Sequence, residues 1–189
     1  TGTPPRYGIV HRLDKDTSGI LLIAKNNEML NFLKEEFKER KIIKKYIALA
    51  HGSLKNETGV IETLIGRGIK DRKKQKVYSY LEPLGTKKGL RQAKTYYRVL
   101  KRFRNYTLIE ASPKTGRKHQ IRVHLHYIGN PIAGDKVYKF KNQIIPKGLK
   151  RQFLSASYIK INLLNKKTKE FKSELPNDLK IVLDNINKK

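Results

Sequence analysis

The chain has 189 residues, with 43 Lys and Arg against 16 Asp and Glu, a formal net charge of +27 and a pI near 10.2. Its 38% hydrophobic content can build a core, but no run approaches the ~18 apolar residues of a membrane span. The absence of cysteine excludes disulfides, thiolate metal sites and cysteine catalysis, and fits a reducing, cytoplasmic setting. So large a positive surplus calls for a polyanion, and nucleic acid is the expected partner. Lys and Arg interleave with apolar residues almost everywhere, so the charge coats a folded surface rather than forming a tail.

Residues 19–24 (GILLIA) form a short apolar run of buried-strand length. Asn26 or Asn27 then offers an N-cap for a helix whose Leu30, Leu33 and Phe37 fall at helical spacing. Residues 44–50 (KKYIALA) alternate as a strand, with Tyr46, Ala48 and Ala50 on one face. Residues 70–76 (KDRKKQK) lack any large apolar side chain and read as an exposed basic loop between two strand-like segments. Arg72 and Lys74 in it are candidates for phosphate contact. Residues 93–100 and 106–111 read as paired strands joined by a basic turn. Ile121, Leu125 and Ile128 at i, i+4 and i+7 predict a helix over 117–128, closed by Gly129. Residues 153–164 read as a further strand and 177–186 as a closing helix. Without a βαβ rhythm, the expected class is α+β: a mixed, largely antiparallel sheet flanked by helices, in one domain over residues 1–189.

Two segments could carry chemistry. In the first, around HRLDKDTSG, Asp16 reads as a turn former, whereas Asp14 lies near Arg12 with apolar residues on both sides. A carboxylate beside fixed cations stays ionised and can act as a nucleophile. The second, residues 113–131, gathers Arg117, Lys118, His119 and Arg122 in the first turns of the expected helix. Cations are misplaced at a helix N-terminus unless an anion such as phosphate joins them. His119, His124 and His126 are spaced 5 and 2 apart, so no pair shares a helical face at i, i+4, and no metal site is expected. Ten tyrosines offer stacking platforms for unpaired bases, but spacing alone does not separate Tyr46 from Tyr78 or Tyr97. No phosphate loop, dinucleotide fingerprint or zinc pattern is present, so no cofactor is expected.

Taken together, these segments resemble a known family. HRLDKDTSG at 11–19 resembles the nucleophile motif of the pseudouridine synthases of the large-subunit ribosomal RNA type. KKYIALAHG at 44–52 resembles that family's tyrosine motif, and QAKTYYRVL at 92–100 its central strand. TGRKHQIRVHL at 115–125 resembles its third active-site motif, NPIAGDKVY at 130–138 the segment after it. KRQFLSA at 150–156 is similar to a further stretch that usually carries histidine where this chain has Ser155. Family members usually have further strands, often with an S4-like domain, ahead of the first motif; the resemblance therefore implies that this chain is a fragment.

The resemblance implies a cofactor-free isomerase that flips a uridine from RNA, ribosomal RNA first and transfer RNA second, and acts as a monomer. Asp14 would be the nucleophile, Tyr46 would stack on the base, and Arg122 would pair with Asp14. Arg12 would hold or displace the flipped nucleotide and Ile121 would pack beside the base. Apart from the resemblance, the charge of these segments makes Arg117, Lys118, His119, Arg72 and Lys74, with His11 beside Arg12, the expected RNA contacts. The competing expectation is a basic RNA-binding or ribosome-assembly protein without catalysis; a DNA-binding module lacks any supporting motif.

Overall fold

The computed structural model describes residues 7–68, 71, 74–80 and 89–187. The elements run β1 (Ser18–Gly19), α1 (Asn27–Lys38), β2 (Ile43–His51), β3 (Thr58–Arg67), β4 (Gln75–Tyr78), β5 (Arg91–Arg102), β6 (Tyr106–Pro113), α2 (Gln120–Tyr127), β7 (Leu154–Asn162), β8 (Thr168–Lys172) and α3 (Asn177–Asn187). All the strands join one sheet in the order β1-β7-β2-β6-β5-β3-β4, with β8 also on β7. Every pairing is antiparallel except β1 with β7. The α+β fold with a mixed, largely antiparallel sheet is thus the one observed.

The central strands β2 and β6 owe their place to small and aliphatic residues: Ala48, Leu49, Ala50, Ile109 and Ala111 are almost wholly buried. Helix α1 starts where Asn26 accepts a hydrogen bond from the Met29 amide at 2.8 Å. It packs Leu30 and Leu33 against Leu22, Ala24 and the β7 residues Ile159 and Ile161. Just past its C-terminus, Arg40 takes the left-handed conformation at φ 60°.

Helix α2 lies on the sheet and is tied down by polar contacts as well as apolar ones. His124, fully buried, sits between two sheet hydroxyls: Thr63 Oγ1 is 3.0 Å from Nε2 and Thr95 Oγ1 is 2.9 Å from Nδ1. Burial lowers its pKa from 6.5 to about 4. The folded state therefore binds a proton less readily than the unfolded one, so stability is lost as pH falls from about 6.5 to about 4. The expected loss on His124 is of order 3 kcal/mol across that window. It is checked by melting curves at neutral and acid pH, with His124→Gln showing a flatter pH dependence than the wild type.

Three expectations are corrected. Of residues 19–24 only Gly19 belongs to a strand, the two-residue β1, and the run after it is only half buried, with Leu21 and Ile23 exposed. Helix α2 begins at Gln120 rather than 117, because His119 adopts φ 56°, outside the helical region. Arg117, Lys118 and His119 thus form the loop entering the helix, not its first turn. The basic loop at 70–76 ends earlier than expected, since Gln75 and Lys76 belong to β4; Arg72 lies outside the described residues.

Ser155 faces the sheet interior at 0% exposure, and its Oγ has no hydrogen-bond partner. An unsatisfied buried hydroxyl costs about 1–3 kcal/mol. Ser155→Ala is expected to hold or raise the melting temperature; a drop of several degrees would mean that the hydroxyl is bonded in solution.

Candidate active site

The turn bearing Asp14 is fixed from both flanks. The Thr17 amide closes it on the Asp14 carbonyl at 3.0 Å, and Asp16 accepts the left-handed φ of 67° that the reversal requires. Gln152 Nε2 donates to the Lys15 carbonyl at 3.0 Å and to Thr17 Oγ1 at 2.7 Å. Arg151 donates through Nη1 to the Asp16 carbonyl at 3.0 Å, and through Nε and Nη2 to Asp178 of α3 at 2.8 and 3.1 Å. At Gly19, φ is 111° and a Cβ would run into the Ala156 carbonyl, so only glycine lets β1 approach β7. The residues 150–156 thus serve as the bracket for the turn.

Asp14 meets Arg122, whose Nη1 stands 3.3 Å from the Asp14 carboxylate. Arg122 itself is buried on α2 and spends its strongest bonds elsewhere. Nε and Nη2 grip Asp135 in a two-pronged ion pair at 2.7 and 2.9 Å. Asp135 is 2% exposed and also accepts from the Val137 and Tyr138 amides at 2.8 and 3.0 Å. The Tyr138 ring backs the guanidinium, with 5.3 Å between the ring centroid and Cζ. Burial opposes the Arg122 charge, but Asp135 and then Asp14 outweigh it and raise its pKa. Arg122 is a fixed cation that offers Asp14 one remaining edge. Asp135 is the functional residue that sequence reasoning missed. The signal was available: a lone acid in the apolar stretch 131–135, able to satisfy a buried arginine.

Asp14 opens into a cleft of about 950 Å³ lined by Tyr46 of β2, Ile121 and Arg122 of α2, the loop 114–119 and residues 9–14. Among the described residues lining it, Asp14 is the only acid, against Arg12, Lys38, Arg40, Lys44, Lys114, Arg117, Lys118 and Arg122. Tyr46 is half buried, and burial together with the Asp14 charge raises its pKa to about 12, so the ring is a neutral phenol. His119 Nδ1 is 3.0 Å from the Tyr138 hydroxyl, which also accepts from the Gln75 amide at 2.8 Å. Burial lowers the His119 pKa, with Asp14 pulling the other way. His11 stacks on Phe37 at 5.1 Å, and its Nε2 accepts the Leu22 amide at 2.9 Å. Burial and then the Lys44 charge bring its pKa to about 4, so at neutral pH it is an uncharged wall of the cleft rather than a cation.

Of the residues singled out in the sequence, Asp14, Tyr46, Arg122, Arg12, His11, Ile121, Arg117, Lys118 and His119 all line this cleft. Lys74 does not: it stands exposed between β3 and β4, 4.0 Å from Asp71. The two other histidines of the 119–126 cluster do not converge on His119, since His124 is buried on Thr63 and Thr95 and His126 packs against Phe140 at 5.3 Å. Among the described residues, no group of three or more His, Asp or Glu is placed to hold a metal ion. No described helix is long and apolar enough to cross a membrane.

The family of RNA pseudouridylate synthases matches residues 1–127. An uncharacterized RNA pseudouridine synthase of Chloroflexus aurantiacus is 43% identical over 179 residues, covering 94% of this chain and 53% of that protein. Ribosomal large subunit pseudouridine synthase D of Borreliella burgdorferi is 41% identical over 184 residues, covering 97% and 53%. The chain thus spans about half the length of these relatives. The solved structure of human RNA pseudouridylate synthase domain containing 1 superposes with a TM-score of 0.80 at 26% identity, over 95% of this chain and 74% of the human one. With the family matching two thirds of its length and its fold shared with a solved member, the chain belongs to the RNA pseudouridylate synthase family.

Proposed function

We propose that this chain isomerises uridine to pseudouridine in RNA, with large-subunit ribosomal RNA as the substrate class and transfer RNA as the second choice. The setting for that substrate is the cytoplasm, and the chain acts as a monomer: Asp14, Tyr46 and Arg122 all line the cleft of one chain. The observation that carries the reading is the Asp14 carboxylate in a cationic cleft, held by an arginine that is itself locked by Asp135 at 2.7 and 2.9 Å.

A stacked base is out of reach, so the nucleotide must swing out at a cost of a few kcal/mol. Stacking on the neutral Tyr46 ring returns about 1–3 kcal/mol, with Ile121 against the base edge. Arg12, exposed on the cleft wall, holds the extruded nucleotide or fills its vacated place. Arg117, Lys118 and His119 contact the RNA around the cleft, and Lys74 contacts it farther out. Asp14 then bonds covalently to the nucleotide, at C1′ or at C6. The N1–C1′ bond breaks with its electron pair left on the uracil, and the base turns within the cleft. C5 bonds to C1′, the C5 proton is lost, N1 regains one, and the Asp14 carboxylate is released. Atoms and electrons balance without an oxidant or a second substrate.

A basic protein that only bound RNA would have no need of a carboxylate aimed into a cleft so rich in cations, since the acid repels phosphate. The deciding experiment incubates the purified chain with transcribed large-subunit ribosomal RNA and maps pseudouridine by specific chemical labelling. Modification at one or a few discrete uridines is expected. RNA that is bound but unmodified, in ribosomal and transfer transcripts alike, would overturn the isomerase reading.

A further inference from the structure

Lys44 and Tyr46 stand two residues apart on β2, so their side chains share one face about 6.6 Å apart along the strand. Both line the cleft. The Lys44 ammonium lies 5.6 Å from the Phe37 ring centroid, and a Cβ on Gly116 would meet it at 3.7 Å. Lys45, on the opposite face, has Glu110 at 3.3 Å, whereas no carboxylate among the described residues comes within ion-pair distance of Lys44. Burial lowers the pKa of Lys44. A withdrawn cation without a counter-charge is costly, and a bound anion removes that cost.

A second observation comes from another element. Arg40 follows α1 at φ 60°, a position that glycine fills without strain and other residues at a cost of roughly 1–2 kcal/mol. Its side chain lines the same cleft. Arg117, across the cleft wall, donates through Nε to the Gln92 carbonyl at 3.0 Å. Burial and then the like charges of Arg40 and Arg91 lower its pKa, so these cations crowd one another. A strained arginine and a crowded one beside a lysine that has no carboxylate partner among the described residues mark a place built for an anion rather than for the apo fold.

We propose that Lys44, Arg40 and Arg117 form a subsite for one backbone phosphate of the RNA, the phosphate adjoining the nucleotide stacked on Tyr46. This rests on the reading that the cleft takes RNA, and it gives the cleft a register: anchoring that phosphate one strand step away decides which base reaches Tyr46. Guanidinium forks and an ammonium together suit the several oxygens of a phosphodiester.

The test measures binding of a single-stranded oligouridylate across a salt series for the wild type, Lys44→Met, Lys44→Arg and Arg40→Gly. Lys44→Met is expected to weaken binding about tenfold and to make the slope of log K against log salt shallower by about 0.7, one phosphate's worth for a single strand. Lys44→Arg should keep the slope. Arg40→Gly should weaken binding while the melting temperature holds or rises, because glycine relieves the backbone; a purely structural arginine would move stability and not affinity. Unchanged affinity and slope in Lys44→Met and Arg40→Gly overturn the subsite, as does a Lys44→Met variant that loses turnover alone. If Lys44→Met fails to fold, Arg40→Gly decides. A wild type that binds oligouridylate with the expected slope but forms no pseudouridine in ribosomal or transfer transcripts sinks the isomerase reading and leaves the subsite standing.

Discussion

Replacing Asp14 by Asn is expected to abolish pseudouridine formation, with a fall in turnover of at least ~10⁴-fold and little change in RNA affinity. The amide matches the carboxylate in shape, so the turn held by Gln152 and Arg151 keeps its form. What is lost is the only anionic oxygen lining the cleft among the described residues. A neutral amide cannot form the covalent bond to the nucleotide, and Arg122 loses its charged partner at 3.3 Å. Phosphate contacts from the surrounding cations are untouched, so binding should hold or tighten slightly as a repulsive charge disappears. Turnover by Asp14→Asn within tenfold of the wild type, in single-turnover assays on a mapped site, would remove Asp14 from the chemistry.

The second large effect belongs to Asp135. Asp135→Ala would strip Arg122 of its two shortest bonds and leave a guanidinium buried beside Tyr138 with only Asp14 to pair with. Breaking a buried pair from one side costs about 3–5 kcal/mol, which for a chain of this size lowers the melting temperature by roughly 10 °C. It also frees the Val137 and Tyr138 amides, loosening the ring that backs the arginine. Turnover should fall with KM nearly unchanged, because Arg122 would swing toward Asp14 and tie up the oxygens meant for substrate. Asp135→Asn separates the two roles. It keeps an acceptor for the amides, so stability should partly return, while its amide group meets the Arg122 donors poorly and turnover should stay low. A variant of normal stability and activity would show that Asp135 does not hold the site.

The helices α1 and α3 and strands β2, β5, β6 and β7 were legible because each buries one face, and burial writes a period into the sequence. Strand β8 was not, since its TKEFK has a single half-buried residue and pairs only at the sheet edge. The start of α2 was misplaced because the spacing that predicts it, Ile121, Leu125 and Ile128, marks the helix face and not its first residue, and nothing in that period signals the left-handed turn at His119, which meets Tyr138. At the site, Asp14 stood out by charge and context, but Tyr46 emerged only through family resemblance. Its role depends on which face of β2 looks into the cleft, and alternation alone does not tell the two faces apart. Asp135 and Lys44 stayed hidden for opposite reasons. The acid sat in a stretch that reads as core, and the lysine sat in a chain so basic that one more positive charge carried no signal.

The guanidinium of Arg151 joins Asp16, near one end of the chain, to Asp178, near the other. During synthesis the amino-terminal part leaves the ribosome first, yet it lacks this clasp until translation has passed α3. A nascent chain therefore cannot fully brace the turn that carries Asp14 until Asp178 has been made and has folded back onto Arg151. Removal of α3 should likewise slacken a turn about 160 positions earlier in the sequence, so an element remote along the chain helps to set the geometry at Asp14.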